Sequence, residues 1–410
     1  MTTTIEYSKL FNANLPAPAV KWTPFPKYYF VGGNNDPEEI PIQGLIDAAR
    51  EVLTRDGKKL AIYNLGLGPQ GYPPLRQFVA EKSARTRGIR ASVDDILITT
   101  GSGQGIDMIS RLLISPGDTV LTEEYCYQGA LNRFRNLGAR LVGMKLDADG
   151  IVIEALAEQL AGLKAEGIAP KFIYTIPTIQ NPTASILPLA RRQALIGLAR
   201  EYNVPIFEDE CYADLIWRGI EAPPSLYALD PGCVLHIGSF SKSLAPALRL
   251  GFLIAPWELM SRLLPLKADS GTGALDQMIV AEYFGKHFDR HVGALNGVLH
   301  EKLTTMTEAV EREFGASAEC WAPKGGIFLW IRLPASVDVR KLVKPAAEAG
   351  LVFNPGPDWA VSPDNSFNCL RLCFAMPDKQ TIRDGVAELA RVCYEQTGIP
   401  VRSGNVARRA

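Results

Sequence analysis

The strongest constraint on the fold is a regular alternation of short apolar runs and amphipathic helical segments between residues 95 and 254. The runs are rich in β-branched residues and cover residues 95–100, 119–122, 140–146, 172–176, 205–207, 234–237 and 250–254. Buried strands that alternate with helices predict an α/β fold with a mostly parallel sheet, here of seven strands, between layers of helices. Ligands of such sheets collect at the carboxyl ends of the strands, so functional residues are expected directly after these runs.

The pattern changes on both sides of this region. A long helical segment at residues 275–314 is followed by strand-like runs at 326–333, 351–353 and 369–374, which predict a smaller α+β domain. The N-terminal residues are rich in proline and aromatic side chains and are expected to form an extended arm. We therefore predict an N-terminal arm that packs with the small domain, a large domain and the small domain, at residues 1–48, 49–310 and 311–410.

The charge composition indicates which kinds of binding partner this protein is expected to have. The formal net charge is −1 and no block of basic residues occurs apart from the short Arg408-Arg409 tail. Neither nucleic acid nor an anionic membrane surface is therefore expected as a partner. No apolar run approaches the ~20 residues needed to span a bilayer. The first residues show no signal-peptide pattern, so a cytoplasmic location is expected.

The cysteines and histidines favour structural roles. The seven cysteines are scattered singly and without CxxC spacing, which is typical of reduced core thiols in a cytoplasmic protein. His287 and His291 are spaced i, i+4, as zinc ligands on a helix can be, but no HExxH motif or third ligand accompanies them. We expect no metal site, and a solvated helix face at these two histidines.

Residues 234–256, VLHIGSFSKSLAPALRLGFLIAP, combine two apolar runs with a lysine and an arginine. Lys242 follows the first run, and burial there would disfavour its charged form and make the neutral amine available as a nucleophile. Ser239, Ser241 and Arg249 would suit a phosphate anion beside it. The same residues are equally compatible with a lysine in a surface loop between two strands.

Other polar or aromatic residues also follow predicted strands. They are Ser102, Gly103 and Gln104 in a glycine-rich turn, Tyr127, Asn181, Asp209 and Tyr212. A helix that begins at the glycine-rich turn would offer free amides and a positive dipole end to a phosphate. Taken singly, these residues also fit a tight turn, a tyrosine at a helix start, an Asn-Pro turn and a solvated acidic loop at 208–210. Arg371 differs, because an arginine inside an otherwise apolar strand needs an anionic partner.

In this order the motifs resemble the class I/II pyridoxal-phosphate-dependent aminotransferases of fold type I, and within them the branch of 2-aminoadipate and kynurenine aminotransferases. The resemblance extends from about Gly32 to about Glu395. It implies pyridoxal 5'-phosphate (PLP) as cofactor, Lys242 as the catalytic Schiff-base lysine and proton shuttle, and Arg371 as the residue that binds the substrate α-carboxylate. The further implied cofactor contacts are Ser102, Gly103, Gln104, Ser239, Ser241 and Arg249 to the phosphate, Tyr127 to the ring face, Asn181 and Tyr212 to the phenolic oxygen O3′, and Asp209 to the pyridinium nitrogen. Asn181 and Gly33 are the further implied substrate contacts.

Three positions depart from the family pattern. Gly66 stands where a tyrosine usually reaches the phosphate of the neighbouring subunit, and Tyr63 is the nearby residue that could replace it. The element usually written GGxP reads GGNN at residues 32–35, which alters a loop expected to face the substrate. Tyr125 replaces the proline that usually precedes the stacking tyrosine. The same resemblance implies a homodimer with its active sites at the interface.

The predicted function is the transfer of an amino group from an α-amino acid to a 2-oxo acid, with 2-oxoglutarate as acceptor, by a ping-pong reaction through Lys242. Donors with medium or large side chains are expected. Other fold type I enzymes use the same cofactor contacts, so a C–S lyase or β-elimination enzyme and an amino-acid cyclase are alternatives. A non-catalytic PLP-binding regulator is a third alternative. Such regulators carry a DNA-binding domain ahead of this fold, whereas the resemblance here begins within about thirty residues of Met1, which leaves no room for one.

Overall fold

The structure, a computed structural model, describes residues 5–11, 15 and 18–401, so the Arg408-Arg409 tail lies outside the described residues. Its strands are β1 (Tyr28–Tyr29), β2 (Ile96–Thr100), β3 (Thr119–Glu123), β4 (Arg140–Met144), β5 (Leu146–Asp147), β6 (Gly150–Ile151), β7 (Ile173–Thr175), β8 (Ile206–Asp209), β9 (Val234–Ser239), β10 (Leu250–Ile254), β11 (Glu319–Cys320), β12 (Phe328–Arg332), β13 (Leu351–Val352), β14 (Asn354–Pro355) and β15 (Cys369–Cys373). Its α-helices are α1 (Ile42–Asp56), α2 (Pro73–Arg87), α3 (Ser102–Leu113), α4 (Gln128–Asn136), α5 (Ile153–Ala165), α6 (Leu189–Tyr202), α7 (Leu226–Leu229), α8 (Trp257–Leu263), α9 (Ala274–Phe314), α10 (Arg340–Glu348) and α11 (Lys379–Thr397).

Seven of these strands form one sheet in the order β2-β10-β9-β8-β7-β3-β4. The pairs β3–β4, β3–β7, β7–β8 and β8–β9 are parallel, whereas β10 runs antiparallel to both of its neighbours. The prediction of a mostly parallel seven-stranded sheet is confirmed. The predicted strand bounds differ mainly at the ends, since the strand predicted at 205–207 continues to Asp209 and the one predicted at 140–146 ends at Met144.

The strands of this sheet are buried on both faces, which explains why their sequences lack a polar alternation. In β2, Leu97 packs into the core on one face, while Ile96 and Ile98 pack into the core on the other. In β8, Phe207 packs on the same face as Leu97 and Ile206 packs on the opposite face, because successive side chains of a strand point to opposite faces. Helix α3 covers the first face and helices α2, α5 and α6 contribute to the second. Burial of each apolar side chain of this size contributes about 1.5–3 kcal/mol to the free energy of folding.

Strand direction decides where the functional residues lie. Strands β2, β9, β8, β7 and β3 run in one direction, so their carboxyl ends meet at one edge of the sheet. Strand β10 is reversed, and Gly251 near its beginning pairs with Ser239 at the end of β9. Arg249, just before β10, therefore lies at the same edge as Asp209 at the end of β8. This carboxyl edge is where a ligand of such a sheet is expected.

The C-terminal part contains a four-stranded antiparallel sheet in the order β11-β12-β15-β14. Helix α11 packs along α9, a helix of 41 residues. Strand β1 pairs in parallel with β13, so the arm joins the C-terminal part through Tyr28–Tyr29. Residues 18–25 of the arm are exposed, and Trp22 is 80% exposed. The predicted domain boundaries and the packing of the whole arm stay predictions.

The seven cysteines are free thiols, and most of them are buried. Burial raises the pKa of Cys126 and Cys211 well above the ordinary range, so these thiols stay protonated and behave as apolar side chains. No helix within the described ranges is both long and apolar enough to span a lipid bilayer.

Candidate active site

A cavity of about 400 Å³ opens at the carboxyl edge of the seven-stranded sheet. All predicted site residues except Gln104 line it: Gly33, Ser102, Gly103, Tyr127, Asn181, Asp209, Tyr212, Ser239, Ser241, Lys242, Arg249 and Arg371. A concave site of this size with a few converging polar groups is the usual form of a small-molecule site. The structure therefore brings together residues that are dispersed over most of the chain.

Lys242 lies in the turn that follows β9. The turn is held by Ser241, whose backbone N–H donates to Oγ of Ser239 (3.1 Å). Nζ of Lys242 donates to the carbonyl oxygen of Gly33 (2.8 Å). The amine is surrounded by protein atoms, while part of the side chain is accessible through the open cavity. Burial lowers the pKa of this amine, and two nearby arginine charges act in the same direction. The alternative of a surface-loop lysine is therefore wrong.

Asp209 is the last residue of β8 and is buried. Its Oδ2 accepts a hydrogen bond from the hydroxyl of Tyr174 (2.7 Å), and its Oδ1 accepts one from the N–H of Cys211 (3.1 Å). Burial raises the pKa of the carboxyl, while these hydrogen bonds act in the opposite direction. No lysine or arginine in the described ranges forms an ion pair with Asp209, so the carboxylate is available to a cationic atom in the cavity.

The two carboxylates beside Asp209 have partners of their own. Glu208 accepts hydrogen bonds from the backbone N–H groups of Leu226 (2.6 Å) and Tyr227 (3.2 Å). Glu210 forms an ion pair with the buried Arg87 (2.9 Å). All three carboxylates are buried, so the alternative of a solvated acidic loop is wrong.

The first turn of α3 is suited to an anion. Gly101 precedes the helix with a φ of +72°, a left-handed value that glycine adopts without steric strain. A Cβ at this position would also collide with the guanidinium of Arg249. The N–H groups of Ser102 and Gly103 lie in the first helical turn, where they lack intrahelical acceptors and form part of the positive end of the helix dipole. Arg249 forms no ion pair with any described carboxylate, so its charge adds to this turn.

Gln104 is the one predicted contact that does not reach the cavity. Its Oε1 accepts hydrogen bonds from the N–H of Thr100 (2.8 Å) and from Nζ of Lys267 (3.0 Å), and its Nε2 donates to Asp269 (2.7 Å). Its backbone N–H donates to the carbonyl oxygen of Gly101 (3.1 Å). Because its side chain and its amide are engaged elsewhere, the predicted phosphate contact from Gln104 is not supported.

Asn181 connects Tyr212 with Arg371. Its Nδ2 donates to the hydroxyl oxygen of Tyr212 (3.1 Å), and its Oδ1 accepts from Nη1 of Arg371 (2.9 Å). Arg371 lies in β15, and its guanidinium carbon is 3.9 Å from the ring centroid of Trp359 and 4.3 Å from that of Phe328. Burial lowers the pKa of Arg371 to about 10. No carboxylate of the described ranges pairs with it, so the guanidinium is available to an anion in the cavity.

Two adjacent peptide carbonyls cover the cations of the cavity. The carbonyl oxygen of Gly32 accepts from Nη2 of Arg371 (3.0 Å), and that of Gly33 accepts from Nζ of Lys242 (2.8 Å). A Cβ on Gly33 would lie only 2.5 Å from Nζ of Lys242, so any larger residue would force the lysine side chain to shift. The loop at residues 32–35 therefore lines the cavity, as the sequence predicts for Gly33.

This loop is anchored next to the cavity. Nδ2 of Asn35 donates to the carbonyl oxygen of Leu244 (2.9 Å), two residues beyond the lysine. Asp36 forms an ion pair with the buried amine of Lys302 in α9 (2.6 Å). The departure from GGxP thus supplies an asparagine that ties the loop to the turn after β9.

Several cavity residues were missed in the sequence, among them Arg133, Asn354 and Trp359. Asn354 is the cross-strand partner of Arg371, and its Oδ1 accepts from Nη2 of that arginine (2.7 Å). Trp359 covers the same guanidinium, and its ring centroid is 6.2 Å from that of Tyr127. Asn354 and Trp359 carry no local sequence signal, because each reaches the cavity through pairing of segments that are far apart in the chain. Arg133 reaches it from α4, the helix that begins directly after Tyr127.

Tyr125, which replaces the usual proline, joins the segment of Tyr127 to the C-terminal part. Its ring lies 5.6 Å from that of Trp330. The adjacent N–H of Cys126 donates to the carbonyl oxygen of Trp359 (2.7 Å). The backbone hydrogen bond between Cys126 and Trp359 therefore fixes the segment of Tyr127 next to the tryptophan that covers Arg371.

Two further expectations concern residues outside the cavity. His291 is half-buried, with Nε2 2.8 Å from the carbonyl oxygen of Ser243 and Nδ1 3.2 Å from the hydroxyl of Tyr283. The prediction of a solvated helix face is wrong for His291, because α9 packs there against the turn that carries Lys242. Tyr63 is 87% exposed and does not line the cavity of its own chain. In the described ranges, no cluster of His, Cys, Asp and Glu residues could hold a metal ion.

The cavity groups fit a flat, phosphorylated aldehyde. A buried amine of lowered pKa suits the aldehyde carbon, and an unpaired buried carboxylate suits a protonated ring nitrogen. The first turn of α3, with glycine where a Cβ would collide with Arg249, suits a phosphate. Pyridoxal phosphate has these three features on one ring.

Known proteins are similar to this chain in sequence and in fold. The family model described as aminotransferase class I and II matches residues 32–389. The 2-aminoadipate transaminase of Thermus thermophilus is 35% identical over 369 residues, which cover 88% of this chain and 89% of the relative. The crystal structure of LysN, an alpha-aminoadipate aminotransferase of Thermus thermophilus complexed with N-(5'-phosphopyridoxyl)-L-leucine, is similar with a TM-score of 0.83 at 31% identity, over 98% of this chain and 100% of that one. The kynurenine aminotransferase of Pyrococcus horikoshii, solved in complex with PMP, gives a TM-score of 0.84 at 30% identity, over 90% and 91% of the two chains.

The chain therefore belongs to the class I and II aminotransferases. Its relatives include 2-aminoadipate and kynurenine aminotransferases, as the sequence motifs predict. The protein is an aminotransferase of fold type I that uses pyridoxal 5'-phosphate as its cofactor.

Proposed function

We propose that this enzyme transfers the amino group of an α-amino acid to 2-oxoglutarate by a ping-pong reaction, in which Lys242 forms the Schiff base with the cofactor. One observation carries the proposal. Lys242 and Arg371 line the same cavity, and neither forms an ion pair with a described carboxylate. An α-amino acid brings a carboxylate for the guanidinium and, two bonds away, the Cα–H bond on which the amine acts.

The proposed cofactor contacts follow from the groups around the cavity. Ser102, Gly103, Ser239, Ser241 and Arg249 hold the phosphate, Tyr127 covers the ring, Asn181 and Tyr212 donate to O3′, and Asp209 keeps the ring nitrogen protonated. When bound, pyridoxal phosphate supplies a conjugated ring that takes up the electron pair released at the substrate Cα. Asp209 supports that role, because its carboxylate favours the positive charge of the ring nitrogen.

Arg371 orients the substrate. Its planar guanidinium can bind a carboxylate through two parallel hydrogen bonds, and the rings of Trp359 and Phe328 fix the plane in which it lies. Asn181 and Gly33 border the same position and are proposed as further substrate contacts.

Lys242 moves the proton. Its lowered pKa leaves more neutral amine near neutral pH, and a neutral amine can take the proton from Cα and deliver it to the C4′ atom of the cofactor. General acid–base transfer by a positioned group contributes typically about 10²–10⁴ in rate. The carbonyl oxygen of Gly33 accepts a hydrogen bond from this amine (2.8 Å) and is proposed to hold it when it is free of the cofactor.

The donors proposed here are amino acids with medium or large side chains. The relatives named for 2-aminoadipate and for kynurenine support this class. The test incubates the PLP-loaded protein with a panel of such amino acids and 2-oxoglutarate and measures glutamate. Lys242→Ala is expected to abolish its formation, while the exposed Lys171→Ala retains it.

Other outcomes would contradict the proposal. Pyruvate and ammonia formed without 2-oxoglutarate would indicate a C–S lyase or a β-elimination enzyme, and an intramolecular ring product would indicate a cyclase. Retention on DNA with no turnover of any donor would indicate a regulator. Full activity of the Lys242→Ala variant would refute the assignment of the lysine.

We also propose that the enzyme is a cytoplasmic homodimer with its active sites at the interface. Helix α1 and the turns after it expose apolar side chains, namely Ile42, Ile46, Leu53, Leu60 and Ile62. An exposed apolar patch of this kind is typical of a protein interface. Light scattering of the purified protein tests the dimer, and a charge at the patch, as in Leu53→Asp, is expected to produce monomers.

A further inference from the structure

A second arginine lies at the first turn of α3. Arg133 belongs to α4 and lines the cavity beside Gly103. A Cβ on Gly103 would lie 3.1 Å from Nη2 of Arg133, while a Cβ on Gly101 would collide with the guanidinium of Arg249. Two guanidinium groups thus approach two glycines of the same turn.

Among the described residues, Arg133 lacks a carboxylate partner. Its Nη1 donates to the carbonyl oxygen of Gly129 (2.9 Å), which holds the side chain along α4. No carboxylate in the described part of the chain forms an ion pair with it, and Nη2 has no hydrogen-bond acceptor there. Arg135, two residues later, differs because it is exposed and its Nη2 donates to the carbonyl oxygens of Ala360 (3.3 Å) and Val361 (3.4 Å).

We propose that Arg133 binds the cofactor phosphate through Nη2, as a second arginine beside Arg249. This inference rests on the proposed function, which assigns the phosphate to the first turn of α3. Arg133 is the cation nearest to Gly103, whereas the substrate carboxylate is assigned to Arg371, which belongs to the four-stranded sheet. The role proposed for Arg133 is therefore to bind the cofactor and not to recognise the substrate side chain.

The charges support a second arginine. A phosphate monoester carries about −1.5 to −2 charges at neutral pH. Arg249 supplies one positive charge and the helix N-terminus the equivalent of about half a charge. Arg133 supplies the additional charge that a dianion needs. Gly103 leaves room for this approach, because a Cβ there would lie 3.1 Å from Nη2 and the guanidinium would have to shift by a few tenths of an ångström.

The test compares two forms of the cofactor on the apoenzyme. Pyridoxal phosphate and pyridoxal, which lacks the phosphate, are titrated into the parent protein and into Arg133→Gln, and binding is followed by absorbance. A hydrogen bond between charged groups predicts that the dissociation constant of the phosphate form rises about 10-fold to 100-fold in the variant. The dissociation constant of pyridoxal is expected to stay within about twofold of the parent value, because pyridoxal has no phosphate for Arg133 to bind.

Two control variants complete the experiment. Arg111→Gln removes an exposed arginine from α3, the helix whose first turn is assigned to the phosphate, and is expected to bind both forms like the parent. Arg133→Lys keeps the positive charge and is expected to recover part of the phosphate-dependent affinity.

Three results would overturn the proposal. One is an unchanged affinity of Arg133→Gln for pyridoxal phosphate. A second is an equal loss of affinity for both cofactor forms, which would show that Arg133 supports the site structure and not the phosphate. The third is an unchanged cofactor affinity together with a raised KM for dicarboxylic donors alone, which would assign Arg133 to the substrate side chain. A failure of the proposed function is distinguishable, because it would appear in the parent protein as an absence of glutamate formation.

Discussion

Nη1 of Arg371 donates a hydrogen bond of 2.9 Å to Oδ1 of Asn181, across 190 residues of sequence. Through its Nδ2 the same asparagine donates to the hydroxyl of Tyr212. The residue proposed to bind the substrate carboxylate and the pair proposed to bind O3′ therefore belong to one hydrogen-bonded network. A change at Asn181 is expected to affect both substrate and cofactor.

Asn181→Asp is expected to raise the KM for the amino donor about 10-fold to 100-fold. The new carboxylate would form an ion pair with Arg371 and compete with the carboxylate of the substrate. Steady-state kinetics with a fixed concentration of 2-oxoglutarate measures the effect, and the exposed Asn136→Asp on α4 is the control. An unchanged KM in Asn181→Asp would show that Arg371 does not bind the α-carboxylate.

Trp359→Leu is expected to raise the KM for the amino donor by roughly tenfold with a smaller change in kcat, since a cation–π contact contributes about 0.5–2 kcal/mol. The leucine removes the ring that holds the guanidinium of Arg371. Trp359→Phe keeps a ring and is expected to lie closer to the parent enzyme. The exposed Trp257→Leu is the control. Equal effects of the leucine and phenylalanine variants would contradict a role for the ring.

Tyr174→Phe is expected to move the acidic limb of the kcat/KM profile to higher pH. The hydroxyl of Tyr174 donates to Asp209 and so opposes the rise in the pKa of Asp209 that burial causes. Without this hydrogen bond the pKa of Asp209 rises further, and as the pH falls the ionised carboxylate is lost at a higher pH than in the parent. Tyr202→Phe on α6 is the control, and an unshifted acidic limb in Tyr174→Phe would separate Asp209 from the activity.

Glu123→Gln is expected to gain stability relative to the parent as the pH rises. Glu123 is buried, and burial raises its pKa from 4.5 to about 7, although Thr175, Gln180 and the N–H of Ile176 all donate to its carboxylate. Between these two pH values the folded protein holds a proton that the unfolded chain has lost, so the stability of the parent falls as the pH rises. Glutamine does not titrate and lacks this dependence.

The free energy of unfolding of both proteins is measured at about pH 5 and at about pH 8. Between these pH values the stability of the variant relative to the parent is expected to increase by about 2 kcal/mol. Glu166→Gln, at an exposed carboxylate, is expected to show no such shift. Parallel pH profiles of Glu123→Gln and the parent would mean that Glu123 is ionised throughout this range.

The alternation of strands and helices was sufficient to predict the seven-stranded sheet, because both faces of each strand are buried and the apolar runs are therefore continuous. The same prediction located the residues around Lys242, since a residue that follows a parallel strand has only one edge of the sheet at which to lie. Arg249 is instructive. It precedes a strand, and it reaches that edge only because β10 is reversed.

The errors have a common physical cause. Gln104 occupies the predicted turn, but Lys267 and Asp269, from a loop more than 160 residues later, engage its side chain. Asn354 and Trp359 reach the cavity through pairing of β14 with β15 and through the backbone bond to Cys126. Contacts made by distant loops leave no periodicity or local motif, so the sequence alone did not reveal them.

The carbonyl oxygens of Gly32 and Gly33, hydrogen-bonded to Arg371 and Lys242, act as an intramolecular ligand. The hydrogen bond of Asn35 and the ion pair of Asp36 tether this loop and so set the effective concentration of the two carbonyl groups. This effective concentration is independent of the concentration of the substrate. A substrate that takes these positions must displace it, so the apparent affinity for every donor includes the same competition. Loosening the tether, as in Asn35→Ala, would therefore change the affinity for all donors by a common factor and leave their ranking unchanged.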